Sequence, residues 1–155
     1  MTTKPKTLRF KIIKSVFETL TIKESSPEYP LNRRISCSND VFNLFRYLSS
    51  ETKEHFISLH LDAKNKIQCI DTVSVGSLSA SIVHPREVMK NALLSSAAAI
   101  VLVHNHPSGD PTPSREDLEI TTRLKECCDL FGLRLLDHLC IGDGQFVSFA
   151  DRGLI

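Results

Sequence analysis

The sequence has little net charge, no long apolar run and no paired-cysteine motif. Its 19 Lys and Arg against 18 Asp and Glu leave a formal net charge of +1. That balance supplies no global electrostatic argument for a nucleic-acid or membrane partner. No apolar stretch approaches the roughly 20 residues that span a bilayer, so no membrane association is expected. The opening MTTKPKTLRFKIIK is basic but lacks a continuous apolar core and a small-residue cleavage site, which makes it a poor signal peptide. The five cysteines, Cys37, Cys69, Cys127, Cys128 and Cys140, are odd in number and never spaced Cys-x-x-Cys. Neither a disulfide framework nor a thiolate zinc site is suggested. Cys127 and Cys128 are expected as small buried thiols on a helix, and a reducing, cytoplasmic setting is the default. There is no internal repeat and no low-complexity tract.

What is present is a soluble globular composition, 41% hydrophobic and 24% charged over 155 residues, enough for one well-buried core and too little for two ordinary domains. The stretch AAAIVLVHNHPSGDPTPSREDLEIT, residues 97–121, organises the rest. An almost continuously apolar run, Ala97 to Val103, reads as a central strand covered on both faces and ends at His104-Asn105-His106. In an extended chain alternate side chains share a face, so His104 and His106 project together and Asn105 points away. Ser114 is suited to cap the following helix, which puts Asp117 in its first turn. The intervening Pro107-Ser108-Gly109-Asp110-Pro111-Thr112-Pro113, with three prolines and a glycine, makes a stiff reversal and lowers the entropic cost of gathering ligands. Two imidazoles and a carboxylate can supply the three protein ligands of an open Zn²⁺ site. The competing reading is a plain helix cap beside two surface histidines.

Around this stretch the elements are expected as follows. Residues 1–36 form an N-terminal arm or linker, with Lys4, Lys6, Arg9, Lys11 and Lys14 as a mildly basic, solvated segment. Ser38 caps a helix in NDVFNLFRYLSS. His55–Leu61 and Ile67–Val75 form a hairpin, and Ser77–Val83 is a further candidate strand. Pro85 opens a second helix that buries Val88, Met89, Ala92 and Leu93. A third, Arg115 to Phe131, turns Ile120, Leu124, Cys127, Cys128 and Phe131 inward and stops at Gly132. Leu133–Ile141 and Gln145–Phe149 close the chain as a hairpin. Helices interleaved with strands indicate an α/β domain, a mixed sheet flanked by helices.

His-x-His, seven residues and then Ser-x-x-Asp resembles the JAMM motif of MPN/JAB metallopeptidases. The fuller string HPREVMKNALLSSAAAIVLVHNHPSGDPTPSRED, continued by LLDHLCIGDGQFVSFADRGLI, is similar to the RadC branch of that superfamily over roughly Cys37 to Ile155. The resemblance implies an MPN/JAB domain over 37–155 with a three-layer fold related to the cytidine deaminases. It implies a zinc-dependent hydrolase of JAMM type, a peptidase or isopeptidase, holding Zn²⁺ with His104, His106 and Asp117. It also implies a general base at the start of the first long strand, where Glu54 stands, with Glu51 and Glu87 as rivals. Ser114 would both cap its helix and donate to the oxyanion; Asn105 and Pro107 would shape the ligand turn. His84 belongs to the family signature and is expected behind the ligands or in a hydrogen bond at the start of its helix. His55, His60 and His138 are weaker candidates, and Asp137 and His138, being adjacent in a strand, face opposite ways.

Two other readings fail on the residues. An HNH nuclease needs its residues spread over a ββα unit, and zinc deaminases need His-x-Glu followed by Pro-Cys-x-x-Cys, which does not occur. Two alternatives stay open: a DNA-repair-associated role, as the family name suggests, and an MPN binding module without catalysis. RadC-like chains usually carry an additional helical N-terminal domain for which 155 residues leave no room, and this weakens the DNA expectation. The substrate is expected to be an unknown peptide or protein; the sequence specifies no oligomeric state.

Overall fold

The computed structural model describes residues 11, 13–14, 16–21, 33–76 and 83–155. Five strands make one sheet in the order β2-β1-β3-β4-β5, with β1 at Glu54–Leu61, β2 at Ile67–Gly76, β3 at Ala99–Asn105, β4 at Arg134–Gly142 and β5 at Gln145–Ser148. All neighbours pair antiparallel except β3 and β4, which run parallel. A parallel pair needs a crossover, and α3 (Arg115–Phe131) supplies it. The other helices are α1 (Ser38–Phe45), prolonged as a 3-10 segment over Arg46–Ser50, and α2 (Pro85–Leu94). This is the expected α/β arrangement, a mixed sheet between helical layers.

β3 is buried at every residue because both its faces are covered. On one side Val101 and Val103 join Leu59, Leu139 and Ile141 beneath Phe45 and Leu48 of the α1 region. On the other, Ile100 and Leu102 join Phe56 beneath Val88 and Ala92 of α2 and Leu124 and Cys128 of α3. Full burial of each such aliphatic or aromatic side chain contributes about 1.5–3 kcal/mol. The period-2 alternation of β3 thus divides the interior into two cores, and His104 falls on the α2/α3 side.

Several expectations shift by a residue or two, each for a local reason. Cys37, not Ser38, sits at the cap of α1; the Asp40 carboxylate accepts from the backbone N–H groups of Ser36 and Cys37, while the Ser38 hydroxyl donates to Asp151 across the fold. β3 starts at Ala99 because Ala97 still donates to Ala92 O at the helix end, with Ser96 at φ 56. It continues through His104 and Asn105 because β4 pairs alongside as far as Ile141. Leu93 of α2 is exposed, since Val88, Met89 and Ala92 already fill the sheet-facing stripe. Phe131 is also exposed. The left-handed Gly132 turns the chain there, Leu133 N donates to Cys128 O, and Leu133 enters the core in its place. The buried stripe of α3 is therefore Asp117, Thr121, Leu124 and Cys128, polar in its first half and apolar in its second. The β4–β5 turn centres on Asp143 and Gly144, both at positive φ, as a two-residue Asp-Gly hairpin demands. Of the candidate strand 77–83, residues 77–82 lie outside the described residues, as do Lys4, Lys6 and Arg9 of the basic arm.

Candidate metal centre

Three elements converge at the C-terminal end of β3. His104 is the penultimate strand residue and fully buried. His106 has left the sheet, yet its N–H donates to Ile141 O at 2.8 Å, so the extended course persists and both imidazoles emerge on one side. The loop then folds back tightly. Gly109 N donates to His106 O, Thr112 N donates to the Asp110 side chain, and Gly109 adopts φ 86. The loop crosses so close over the end of β4 that a Cβ on Gly142 would stand 2.4 Å from Gly109 O and 2.8 Å from Pro111 N. Only glycine permits that approach.

The loop delivers Ser114 and Asp117 as a reciprocal cap. Asp117 N donates to Ser114 Oγ at 3.1 Å, and Ser114 N donates to Asp117 Oδ2 at 2.7 Å. The Ser114 hydroxyl also donates to Oδ2 at 2.7 Å. Asp in place of the usual Glu at the third position keeps the carboxylate short and aimed at the sheet. Its two oxygens lie 3.1 Å from His104 Nε2 and 3.3 Å from His106 Nε2, and those two nitrogens are 2.9 Å apart. His104, His106 and Asp117, named from spacing alone, meet in space.

The far side of each ring decides which way its lone pair points. His106 Nδ1 lies 2.7 Å from Asp110 O; a carbonyl only accepts, so Nδ1 carries the proton and Nε2 of the neutral ring is bare. Asp117 is acceptor-only when ionised. Where such acceptors converge, either a metal ion or a proton on one of the two imidazoles is needed between them. The electrostatics agree. The hydrogen bond to Asp117 raises the His106 pKa against an opposing burial effect, helped by Asp110 O and the charges of Asp117 and Glu54. Burial works to raise Asp117, but its close contacts with His104, His106 and Ser114 outweigh it and hold the carboxyl well below the usual range. His104, His106, Asp117 and Cys140 can each offer one ligand atom within 4.8 Å of the others. Imidazole and carboxylate at this separation suit a divalent ion.

Glu54 opens β1. The antiparallel register pairing Phe56 with His104 puts Glu54, two residues earlier, level with His106, and its charge reaches that ring. Asn105, facing away from the histidines, holds this strand end: its Oδ1 accepts from His55 N at 2.8 Å and its Nδ2 donates to Lys53 O at 3.0 Å. The backbone on both sides of Glu54 is thereby tied to β3. The rival acids are not brought to the cluster. Glu51 pairs with His55 at 3.6 Å, and Glu87 pairs with Lys90 on the outside of α2. His84 is exposed at the start of α2 and makes no side-chain cap there, so the hydrogen-bonding role expected of its ring is not borne out.

Sequence reasoning missed Thr121 and Cys140 and placed His138 only among the weaker candidates. A register shift on β4 aligns Ile100 with Leu135 but Val101 with Asp137, and this one-residue slip turns His138 and Cys140 to the His104 side. His138 Nε2 lies 2.8 Å from His104 Nδ1. Cys140 Sγ is 3.8 Å from the same nitrogen, and burial pushes its thiol far above the ordinary range, so it stands behind His104 as a protonated neighbour. Asp137 bonds the backbone of His138 and the Ser148 hydroxyl, not the imidazole. The available signal was the alternation in Asp137-His138-Leu139-Cys140-Ile141, which puts His and Cys on one face; which face needed the register.

Comparison with known proteins accords with this geometry. The family model described as a RadC-like JAB domain matches residues 35–154. The chain belongs to the RadC family. Among curated relatives, a UPF0758 protein of Methanosarcina mazei is 50% identical over 144 residues, 92% of this chain and 62% of that protein. One from Geotalea uraniireducens is 54% identical over 123 residues, 79% of this chain and 54% of its own length. This RadC-like chain thus spans little more than half the length of such relatives. No helix among the described residues is long and apolar enough to cross a membrane.

Proposed function

We propose that this RadC-like domain is a zinc-dependent hydrolase of JAMM type acting on a peptide or isopeptide bond. The observation that carries the reading is the meeting of His104 Nε2, His106 Nε2 and the Asp117 carboxylate within about 3.3 Å of one another. In this reading those three residues hold the ion and leave one position for water, the pattern of catalytic rather than structural zinc. When bound, zinc brings the pKa of a coordinated water from near 16 to roughly 7 and polarises a carbonyl. Glu54, level with His106, takes the proton of the attacking water and returns it to the departing amine. Asn105 keeps Glu54 in place through the backbone on either side. Ser114 orients Asp117, and by rotating its hydroxyl proton away from Oδ2 it donates to the developing oxyanion.

Metal analysis of protein purified without chelator should return about one zinc per chain. Losing one ligand in His104→Ala or Asp117→Ala should weaken zinc binding by roughly 2–4 kcal/mol, an even share of the affinity of a four-ligand site, or about 30- to 1000-fold. Glu54→Gln should keep zinc while cleavage of a peptide and isopeptide panel falls about 10²- to 10⁴-fold. A chain that carries no zinc removes the proposal. Zinc bound without any cleavage favours the non-catalytic binding module. The DNA-associated reading draws only on exposed Lys11 and Lys14 and on the family name.

A further inference from the structure

His104 can join a metal centre only through a ring nitrogen that bears no proton, and the structure shows what selects that nitrogen. The selection begins on α3. Thr121 lies one turn after Asp117, and its hydroxyl donates to Asp117 O. A carbonyl oxygen accepts only and a hydroxyl has a single proton, so Thr121 Oγ1 has only lone pairs left to offer. His138 Nδ1 lies 2.6 Å from that oxygen and must therefore carry a proton. Its Nε2 is then bare, and it faces His104 Nδ1 at 2.8 Å, which must in turn be protonated. His104 Nε2 is left bare, 3.1 Å from Asp117 Oδ1.

We propose that His138 and Thr121 are positioning residues whose one-way hydrogen-bond chain fixes His104 as the tautomer with a bare Nε2 at the metal centre. The chain starts at the main-chain carbonyl of Asp117 and ends at the bare His104 Nε2, 3.1 Å from the carboxylate of the same residue, so its hydrogen bonds tie α3, β4 and β3 together around the site. Side-chain packing holds the middle link still: the His138 ring stacks on Phe149 at 4.8 Å and meets the edge of Phe56 at 5.6 Å. His104, His138 and Thr121 are at most 1% exposed, so water does not compete for these bonds. Burial needs no such chain, because apolar side chains of similar volume would fill the space without three desolvated polar groups. Hydrogen-bond partners behind a ligating imidazole orient it and raise its basicity, and their loss typically lowers metal affinity 10- to 100-fold.

The consequence for affinity rests on the metal-centre reading; the tautomer itself does not. The test uses the full chain with ¹⁵N-labelled histidine. Two-bond ¹H–¹⁵N spectra of metal-free protein should show His104 and His138 both protonated at Nδ1. Thr121→Val, which keeps the shape and removes the acceptor, should disperse or reverse both tautomers and weaken zinc binding 10- to 100-fold in competition with a chelator. Thr121→Ser should restore both. If Thr121→Val does not fold, the unmodified protein still decides: His104 protonated at Nε2 overturns the proposal. So do unchanged tautomers and affinity in folded Thr121→Val, which reduce Thr121 to a packing residue. The expected tautomers in a chain that binds no zinc would sustain the relay and sink the metal centre instead.

Discussion

His104 and His60 are two fully buried histidines on the same face of neighbouring strands, and only one of them lies at a candidate metal site. At His60 the Ser95 hydroxyl donates to Ala92 O and lies 2.8 Å from His60 Nδ1. The logic is that of Thr121 and His138: a hydroxyl whose proton is committed to a helix carbonyl makes the facing ring nitrogen the donor. His60 Nε2 is then bare as well. It has no partner among the described residues, and neither have the buried Ser58 Oγ and Asp71 Oδ2 nearby. Burial first, against the opposing charge of Asp71, pushes the His60 pKa down. The difference is convergence. Around His104 a second imidazole and a carboxylate aim at the same point; around His60 a single bare nitrogen does not gather ligands. A buried, direction-fixed imidazole is therefore not sufficient for a metal centre, and what completes one is the loop that returns Asp117.

Three substitutions sharpen or break that contrast. The largest effect belongs to Leu59→Ala, beside His60 on β1 but facing the α1 core. It should lower stability to denaturant by about 2–5 kcal/mol while the folded protein keeps its zinc stoichiometry. Loss of zinc from the folded variant would show that the two faces of the sheet are not separable. Next comes Gly142→Ala, whose Cβ would press on Gly109 O and Pro111 N. Stability should fall by roughly 1–3 kcal/mol, and zinc affinity should fall with it, because the displaced loop carries Ser114 and Asp117; unchanged affinity in a chelator competition would separate loop geometry from the site. The smallest effect is expected of His60→Leu. Replacing a half-satisfied buried polar group by an apolar one of similar size should change stability by no more than about 1 kcal/mol in either direction, with zinc affinity untouched. A tenfold drop in affinity would mean that the two histidine regions are coupled through the sheet.

Much of the α/β architecture was legible because its causes are local. Apolar runs, prolines at helix starts, a Gly after Phe131 and an Asp-Gly turn each act within a few residues. The trio His104, His106 and Asp117 was legible for the same reason: strand parity, a proline-stiffened loop and a helix cap lie within 14 consecutive residues. Phe131 and Leu93 were misjudged because periodicity marks a stripe but not where the sheet beneath it ends. The roles of His138, Thr121 and Cys140 were not legible because their relation to His104 runs through the β3–β4 pairing, in which a shift of one residue decides which side chains face the site.

The sequence alone determined the elements and the three side chains able to gather around an ion, since those depend on spacing along a short stretch of chain. Tertiary structure decided what stands behind and beside them: the relay through His138 and Thr121, the place of Glu54 level with His106, and the bond from Asn105 that secures it. Those relations join strands and helices far apart in the chain. They are set by register and packing, which no local pattern encodes.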